Sequence, residues 1–240
     1  GQEWLFLGED FEKLLDSQLP KTFFVQESAV FSSLRTHMIF TIPVDLAWAA
    51  NRVELPFPVY SIQDTPVYTA TYSPDRGREV LRQLLDRRIN LALFEDGQLE
   101  RLLVASGGHL RDLFHLIREA ADLALLADPP VARIQAGHVS RAINKLRQDV
   151  LLRLGESPYD PEPIPWEDRA VRLKAIYERD PNAAVPDATL HALLRARAVQ
   201  EFNGKGRFAV APLVVDILEK QGKLGPEAAG GLLPPDGAGE

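Results

Sequence analysis

A pair of adjacent glycines, Gly107-Gly108, directly precedes the most regular amphipathic segment of the chain. Apolar side chains recur at helical spacing from 110 to about 126, which predicts a helix with one buried face. Arg111 falls in the first turn of this helix, on its polar side. A positive charge at a helix N-terminus is unfavourable, so Arg111 requires a nearby anion. Asp112 and the phosphate of a bound nucleotide are the two candidates.

The segment Ser-Gly-Gly-x-x-Arg-x-Leu at 106–113, followed by a helix rich in Ala and Leu, resembles the sensor 2 segment of AAA+ and related P-loop ATPases. It is most similar to the versions in origin-recognition ATPases and in the signalling ATPases called STAND. The resemblance implies that Arg111 opens a helix of a small lid domain and reaches the terminal phosphates of ATP. Gly107 and Gly108 would belong to the same nucleotide-binding segment.

An apolar run at 4–7 ends in a group of acids, Gly8-Glu9-Asp10-Phe11-Glu12. The run predicts a buried strand of a parallel sheet, whose carboxyl edge is where α/β folds bind ligands. It resembles a Walker B strand, which implies that Glu9 holds Mg²⁺ and that Asp10 or Glu12 polarises the attacking water. The order Glu-Asp departs from the family's Asp-Glu or Asp-x-x-Asp. The alternative is a solvated acidic turn that opens a helix.

Two further strands are predicted, a buried one at 37–43 and a short one at 58–62. Thr41 is the polar side chain near the end of the first of these, and the resemblance implies the sensor 1 role, a contact to the γ-phosphate or the lytic water. The alternative is that Thr41 is simply a good strand former. Arg52 lies where AAA+ ATPases place the arginine finger that reaches a neighbouring subunit's nucleotide, and Arg35 is a lesser candidate. Surface charge is the alternative for both arginines.

The rest of the chain predicts two helical groups joined by a proline-rich connection. The order of helix, hairpin and helix in the second group resembles a winged-helix module. The expected helices are 74–90, 99–105, 110–126, 136–154, 170–177, one capped by Asp187, and 212–219, with hairpin strands at 199–202 and 207–210.

These patterns predict an α/β chain: a partial P-loop NTPase parallel sheet followed by an α-helical lid and a winged-helix domain. The start at Gly1, without methionine, suggests a fragment. The expected divisions are 1–73 for the C-terminal part of the ATPase core, 74–154 for the lid, 155–168 for a linker, 169–220 for the winged-helix-like domain and 221–240 for a disordered tail.

The charge and composition of the chain limit the kinds of partner that it is expected to bind. The net charge is −7, and residues 187–220 carry five bases against four acids, so DNA binding is possible but not favoured over protein interaction. The absence of cysteine excludes disulfides and thiolate metal sites. No apolar run approaches the roughly 20 residues that span a bilayer, and no signal peptide is visible, so we expect no membrane association and a cytoplasmic location.

The 240 residues contain no Gly-x-x-x-x-Gly-Lys-Ser/Thr, the motif that cradles phosphates. We therefore expect this chain to be inactive alone, as the C-terminal portion of an AAA+/STAND-type ATPase that acts as a nucleotide-dependent switch. ATP and Mg²⁺ would be the cofactors of the full-length protein, with a protein partner or self-association. The alternative is a non-catalytic winged-helix module that binds protein or DNA.

Overall fold

The computed structural model describes residues 4–11, 18–50, 55, 57–68, 74–157, 160, 162–202 and 207–226. Within these residues the protein is mixed α/β, in agreement with the predicted α/β class. Helices predominate, and the strands form one parallel and one antiparallel pair. The elements fall into three consecutive groups along the chain.

The N-terminal group contains two short strands that pair in parallel, at the positions of two predicted strands. Leu5 lies opposite His37 in the pair. The elements of this group are β1 (Leu5–Gly8), α1 (Gln18–Lys21), a π-helical turn (Thr22–Gln26), α2 (Ser28–Ser33), β2 (His37–Phe40) and α3 (Val44–Ala50).

One face of this strand pair is apolar and exposed, so the prediction that both strands are buried is wrong. Leu5, Leu7 and Ile39 are 56%, 57% and 60% exposed. Alternate residues of a strand face opposite sides, so these three share one face, and no described element covers it. On the other face Phe6 is 53% exposed, and Phe40 packs in a cluster of aromatic rings with Phe11, Phe23, Phe24 and Phe31.

The central group consists of four α-helices at the predicted positions, with a short 3₁₀ helix (Leu91–Leu93) between the first two. The first ends at Asp86 rather than at 90. Leu102, Leu113 and Leu116 are fully buried in the core that these helices enclose. The helices are α4 (Pro74–Asp86), α5 (Gln98–Ala105), α6 (Leu110–Leu125) and α7 (Ala136–Leu154), and α6 packs against α5 and α7.

The C-terminal group places an antiparallel strand pair among helices. Asp187 caps the second helix as predicted, since its Oδ1 accepts a hydrogen bond from the N–H of Leu190 at 2.8 Å. Val199 lies opposite Val210 in the strand pair. The elements are α8 (Trp166–Tyr177), α9 (Ala188–Arg195), β3 (Val199–Glu201), β4 (Phe208–Val210) and α10 (Pro212–Lys220).

The central and C-terminal groups share one hydrophobic core. Helix α10 packs against α5 and α7, and the buried cluster extends from Val67 to Leu224. Leu224 is buried and Lys223 pairs with Glu167, so the packed chain continues beyond the predicted start of the tail at 221. The remainder of the predicted tail, 227–240, lies outside the described residues.

The strand predicted at 58–62 is wrong, because this segment is irregular. Tyr60 and Ile62 are 85% and 98% exposed, so no apolar face holds the segment against a neighbouring strand. Its attachment comes from a side chain instead: the Ser61 hydroxyl donates to Glu201 of β3 at 3.3 Å. The segment therefore lies against β3 without a regular backbone ladder.

The glycine pair is a packed turn rather than a flexible break. Gly107 and Gly108 are buried and have φ values of 63° and 86°, which favour glycine. A Cβ on Gly108 would lie 1.7 Å from the carbonyl oxygen of Thr65, and a Cβ on Gly107 would lie 2.9 Å from the Gln200 side chain. The N–H of Thr65 donates to the carbonyl of Gly108 at 3.3 Å. Glycine is thus required here by close backbone approach as well as by φ.

We predict that Gly108→Ala destabilises the protein strongly. The left-handed backbone alone costs an alanine about 1–3 kcal/mol, and Thr65 must also move. Gly137→Ala is the matched control, because a Cβ at Gly137 meets nothing within 4 Å. That variant should keep or gain stability, by up to about 1 kcal/mol. Urea unfolding of both variants measures the difference, and equal stability would contradict the required close approach.

Candidate functional site

A cavity of ≈ 790 Å³ opens where three parts of the chain meet. One wall consists of residues 42–45, at the start of α3, and the segment 61–64. The second wall is the start of α6 and the end of α7, and the third is the end of α9 with β3. The volume lies in the range of small-molecule sites, roughly 300–1,000 Å³.

Arg111 lies at the start of α6, in the wall of the cavity. His109 caps the helix, since its Nδ1 accepts a hydrogen bond from the N–H of Asp112 at 3.3 Å. Arg111 follows in the first turn, is exposed, and lines the cavity without an ion pair to any residue that the structure describes. Asp112, the predicted alternative partner, lies instead 3.5 Å from Nη1 of Arg197. Arg111 is therefore available to a ligand.

Two other arginines of the wall are engaged by a buried carboxylate, Asp160. The Asp160 side chain is 2% exposed, and it contacts Nη2 of Arg169 at 2.6 Å and Nη2 of Arg195 at 2.5 Å. Arg195 also donates to Asp45 of α3 at 2.8 Å. Burial by itself lowers the pKa of Arg195, but hydrogen bonds to Asp45 and Asp160 raise that pKa above its usual value. This Asp160 network joins α3, α8 and α9.

A second pair of arginines, Arg153 and Arg197, has fewer carboxylate partners for its positive charges. Nε of Arg153 is buried and has no hydrogen-bond partner among the described residues. Burial, followed by the charge of Arg197, lowers the pKa of Arg153. Arg197 has a φ of 56°, which is unusual for a residue with a side chain, and its Nη1 lies 3.0 Å from each ring nitrogen of His109. The two guanidinium groups are close enough to repel each other.

Asp112 is the carboxylate beside this pair. Burial by itself raises the pKa of Asp112, but the side chain of His109, whose Nδ1 lies 3.2 Å from Oδ2 of Asp112, and the charge of Arg197 hold this pKa below its usual value. Asp112 is therefore ionised at neutral pH. Sequence reasoning did not find Arg153 and Arg197, because residues so far apart along the chain come together only in the folded structure, where both line one pocket.

The residues predicted at the strand ends lie beside each other. Glu9 and Asp10 follow β1, Thr41 follows β2, and the N–H of Thr41 donates to the carbonyl of Gly8 at 3.0 Å. Glu9, Asp10 and Thr41 are not among the described residues that line the cavity, whereas Ile42, next after Thr41, is.

Three other predicted residues are not among the described residues that line the cavity. Glu12 and Arg52 lie outside the described residues. Arg35 is exposed between α2 and β2 and is likewise not among the described cavity-lining residues.

Neither a protein-family model, nor a curated protein, nor a solved structure matches this chain. In the part of the chain that the structure describes, every helix is too short or too polar to cross a bilayer. The function is therefore inferred from the cavity and its charges.

We predict that Asp160→Asn destabilises the protein by about 3–5 kcal/mol, the cost of breaking a buried ion pair. The reason is that Arg169 would lose its carboxylate and Arg195 would keep only Asp45. Asp168→Asn, an exposed position on α8, is the matched control and should cost less than about 1 kcal/mol. Denaturant unfolding compares the two, and a small loss for Asp160→Asn would show that the network does not hold these elements together.

Proposed function

We propose that this chain is the C-terminal portion of an ATP-binding ATPase of the AAA+/STAND type and acts as a nucleotide-dependent switch. One observation carries the proposal: Arg111, held by the glycine turn and the His109 cap, stands on the cavity wall without an ion pair to any described residue. A cation at a helix N-terminus is unfavourable unless an anion is near it. A nucleotide phosphate supplies that anion.

Three arginines of the wall support a ligand that carries negative charge. The arginines of the Asp160 network already have carboxylate partners. Arg111, Arg153 and Arg197 line the same cavity without a carboxylate contact shorter than 3.5 Å among the described residues, although the acids Asp64, Glu156 and Glu201 also line it. The planar guanidinium group suits phosphate oxygens because it can donate two parallel hydrogen bonds.

The proposed magnesium position is the shared carboxyl end of β1 and β2. The described residues contain no cluster of three or more acidic or histidine side chains that could hold a metal. Mg²⁺ binds through one or two carboxylates and takes its other ligands from water and phosphate. Glu9 would hold the ion, and Asp10 or Glu12 would orient the attacking water, beside Thr41. The ion would neutralise charge on the phosphates.

A ligand in the cavity would touch three parts of the chain at once, and this is the physical basis of the proposed switch. Occupation favours the arrangement in which those parts close around the ligand. In this proposal β1 and β2 belong to the ATPase core, α4–α7 form the lid, and α8–α10 with the β3–β4 pair form the winged helix. The phosphate-binding loop would lie outside the 240 residues, so this chain alone should not hydrolyse ATP.

The gene provides the first test: a Gly-x-x-x-x-Gly-Lys-Ser/Thr encoded upstream of Gly1 supports the proposal. In that full-length protein we predict that Arg111→Ala leaves the melting temperature without nucleotide unchanged, because the side chain is exposed. The same change should weaken ATP binding by about 1.5–3 kcal/mol, the value of a hydrogen bond to a charged group. Calorimetric titration and the ATP-induced thermal shift measure the loss.

Arg118→Ala is the matched control, since Arg118 is exposed on α6 and is not a lining residue of the cavity. It should leave both measurements unchanged. If Arg111→Ala instead lowers the melting temperature without nucleotide and leaves ATP binding intact, Arg111 has a structural role and the proposed phosphate contact is wrong.

The antiparallel β3–β4 pair between helices also favours the alternative, a winged-helix module that binds protein or DNA. Because residues 187–220 carry five bases and four acids, we predict weak, non-specific DNA binding at physiological salt. Fluorescence anisotropy with duplex DNA is the measurement. Submicromolar affinity that disappears in Lys205→Glu and Arg207→Glu would favour the DNA-binding module.

A further inference from the structure

We infer that Arg153 and Arg197 together form a binding site for a phosphate group, separate from the contact proposed for Arg111. Arg153 lies in the last turn of α7 and Arg197 lies between α9 and β3, yet both line the same cavity. Behind the cavity they also line a small pocket of ≈ 30 Å³, together with Asp112. The inference rests on the proposed function, because the phosphate group would belong to a ligand in the same cavity.

Among the described residues, no carboxylate that lines the cavity forms an ion pair with Arg153 or Arg197, although Asp64, Glu156 and Glu201 are also lining residues. Asp112 lines the inner pocket but not the cavity. Its 3.5 Å contact with Arg197 is longer than the 2.7–2.9 Å that is usual for a charge-assisted hydrogen bond. Asp149, exposed one turn before Arg153 on α7, acts on Arg153 through its charge. By contrast, Arg195 on the same cavity has two carboxylate contacts, at 2.5 and 2.8 Å.

Two unfavourable features of the arginine pair would be relieved by an oxyanion. The buried Nε of Arg153 has no acceptor among the described residues, and an unmade hydrogen bond of a buried donor costs free energy. The charge of Arg197 also acts unfavourably on Arg153, because the two guanidinium groups repel each other. An oxyanion between the two guanidinium groups would accept hydrogen bonds from both and offset their mutual repulsion.

Phosphate is the anion that this arrangement fits best. Its three terminal oxygens can accept hydrogen bonds from two guanidinium groups at once, whereas a carboxylate offers only two oxygens. The group could come from the phosphate chain of a nucleotide or from a free polyphosphate. Both sources share the same chemistry, so the experiment must separate them.

The test is calorimetric titration of the 240-residue chain with pyrophosphate, which lacks a base and a sugar. We expect binding that Arg197→Gln weakens by about tenfold or more, the loss that follows removal of a charge-assisted bond. Arg153→Gln should weaken it by a similar factor, and Arg118→Gln on the exposed face of α6 should leave it unchanged. Circular dichroism establishes that each variant is folded.

Because Arg153 is partly buried and its variant could misfold, a second measurement uses the unmodified protein. Phenylglyoxal modifies arginine side chains, and mass spectrometry reports the rate at each position. Pyrophosphate should slow the modification of Arg153 and Arg197 and leave Arg118 unaffected. Absence of pyrophosphate binding, or binding and protection that do not involve Arg153 and Arg197, would overturn the inference.

Parallel titrations with ATP and with adenosine identify the source of the phosphate. ATP binding that exceeds pyrophosphate binding and falls in Arg197→Gln assigns the site to a nucleotide, whereas equal binding of the two assigns it to a free polyphosphate. Arg111→Ala separates this inference from the proposed function. If that variant leaves ATP binding intact while Arg197→Gln weakens pyrophosphate binding, the contact proposed for Arg111 is wrong and the phosphate site stands.

Discussion

The approach of Gly108 to Thr65 is the contact on which the cavity depends. It brings the turn before α6 against the segment that precedes α4, with no room for a side chain between the two backbones. Gln200 of β3 closes the same junction, since its Nε2 donates to Asp64 at 2.6 Å and to the carbonyl of Gly107 at 3.3 Å. All three walls of the cavity therefore meet at one packed polar junction.

The hydroxyl of Tyr68 completes this junction and fixes the direction of its hydrogen bonds. Burial, followed by the charge of Asp64, raises the pKa of Tyr68 well above its usual value. The hydroxyl therefore stays protonated and donates to Oε1 of Gln200 at 3.0 Å. A buried polar cluster whose members are all satisfied favours a single arrangement. This junction holds Arg111 and Arg197 on neighbouring walls of the same cavity.

The sequence predicts those features that depend on residues within one segment. It does not predict contacts between segments that are far apart along the chain. Periodicity located α6 and α7, and Asp187 marked the start of α9, because both signals are contained in one segment. The segment 58–62 has the side chains of a strand, but it lies against β3 without a regular backbone ladder. Nothing in the sequence indicates that Thr65 packs on Gly108, so the close packing of the glycine pair could not be predicted. For the same reason, the sequence does not indicate that Arg153 and Arg197 line the same cavity.

The net charge of the chain is −7, whereas Arg111, Arg153 and Arg197 line the cavity without a carboxylate contact shorter than 3.5 Å among the described residues. At physiological ionic strength the Debye length is about 8 Å, so the acidic surface is screened from a ligand that sits between the walls. Inside the cavity an anion interacts with guanidinium groups at hydrogen-bond distance, where screening is weak. An extended nucleic acid would instead meet the acidic surface along its whole length. For the proposed function, this arrangement favours a compact polyanion, small enough to enter the cavity, over an extended one.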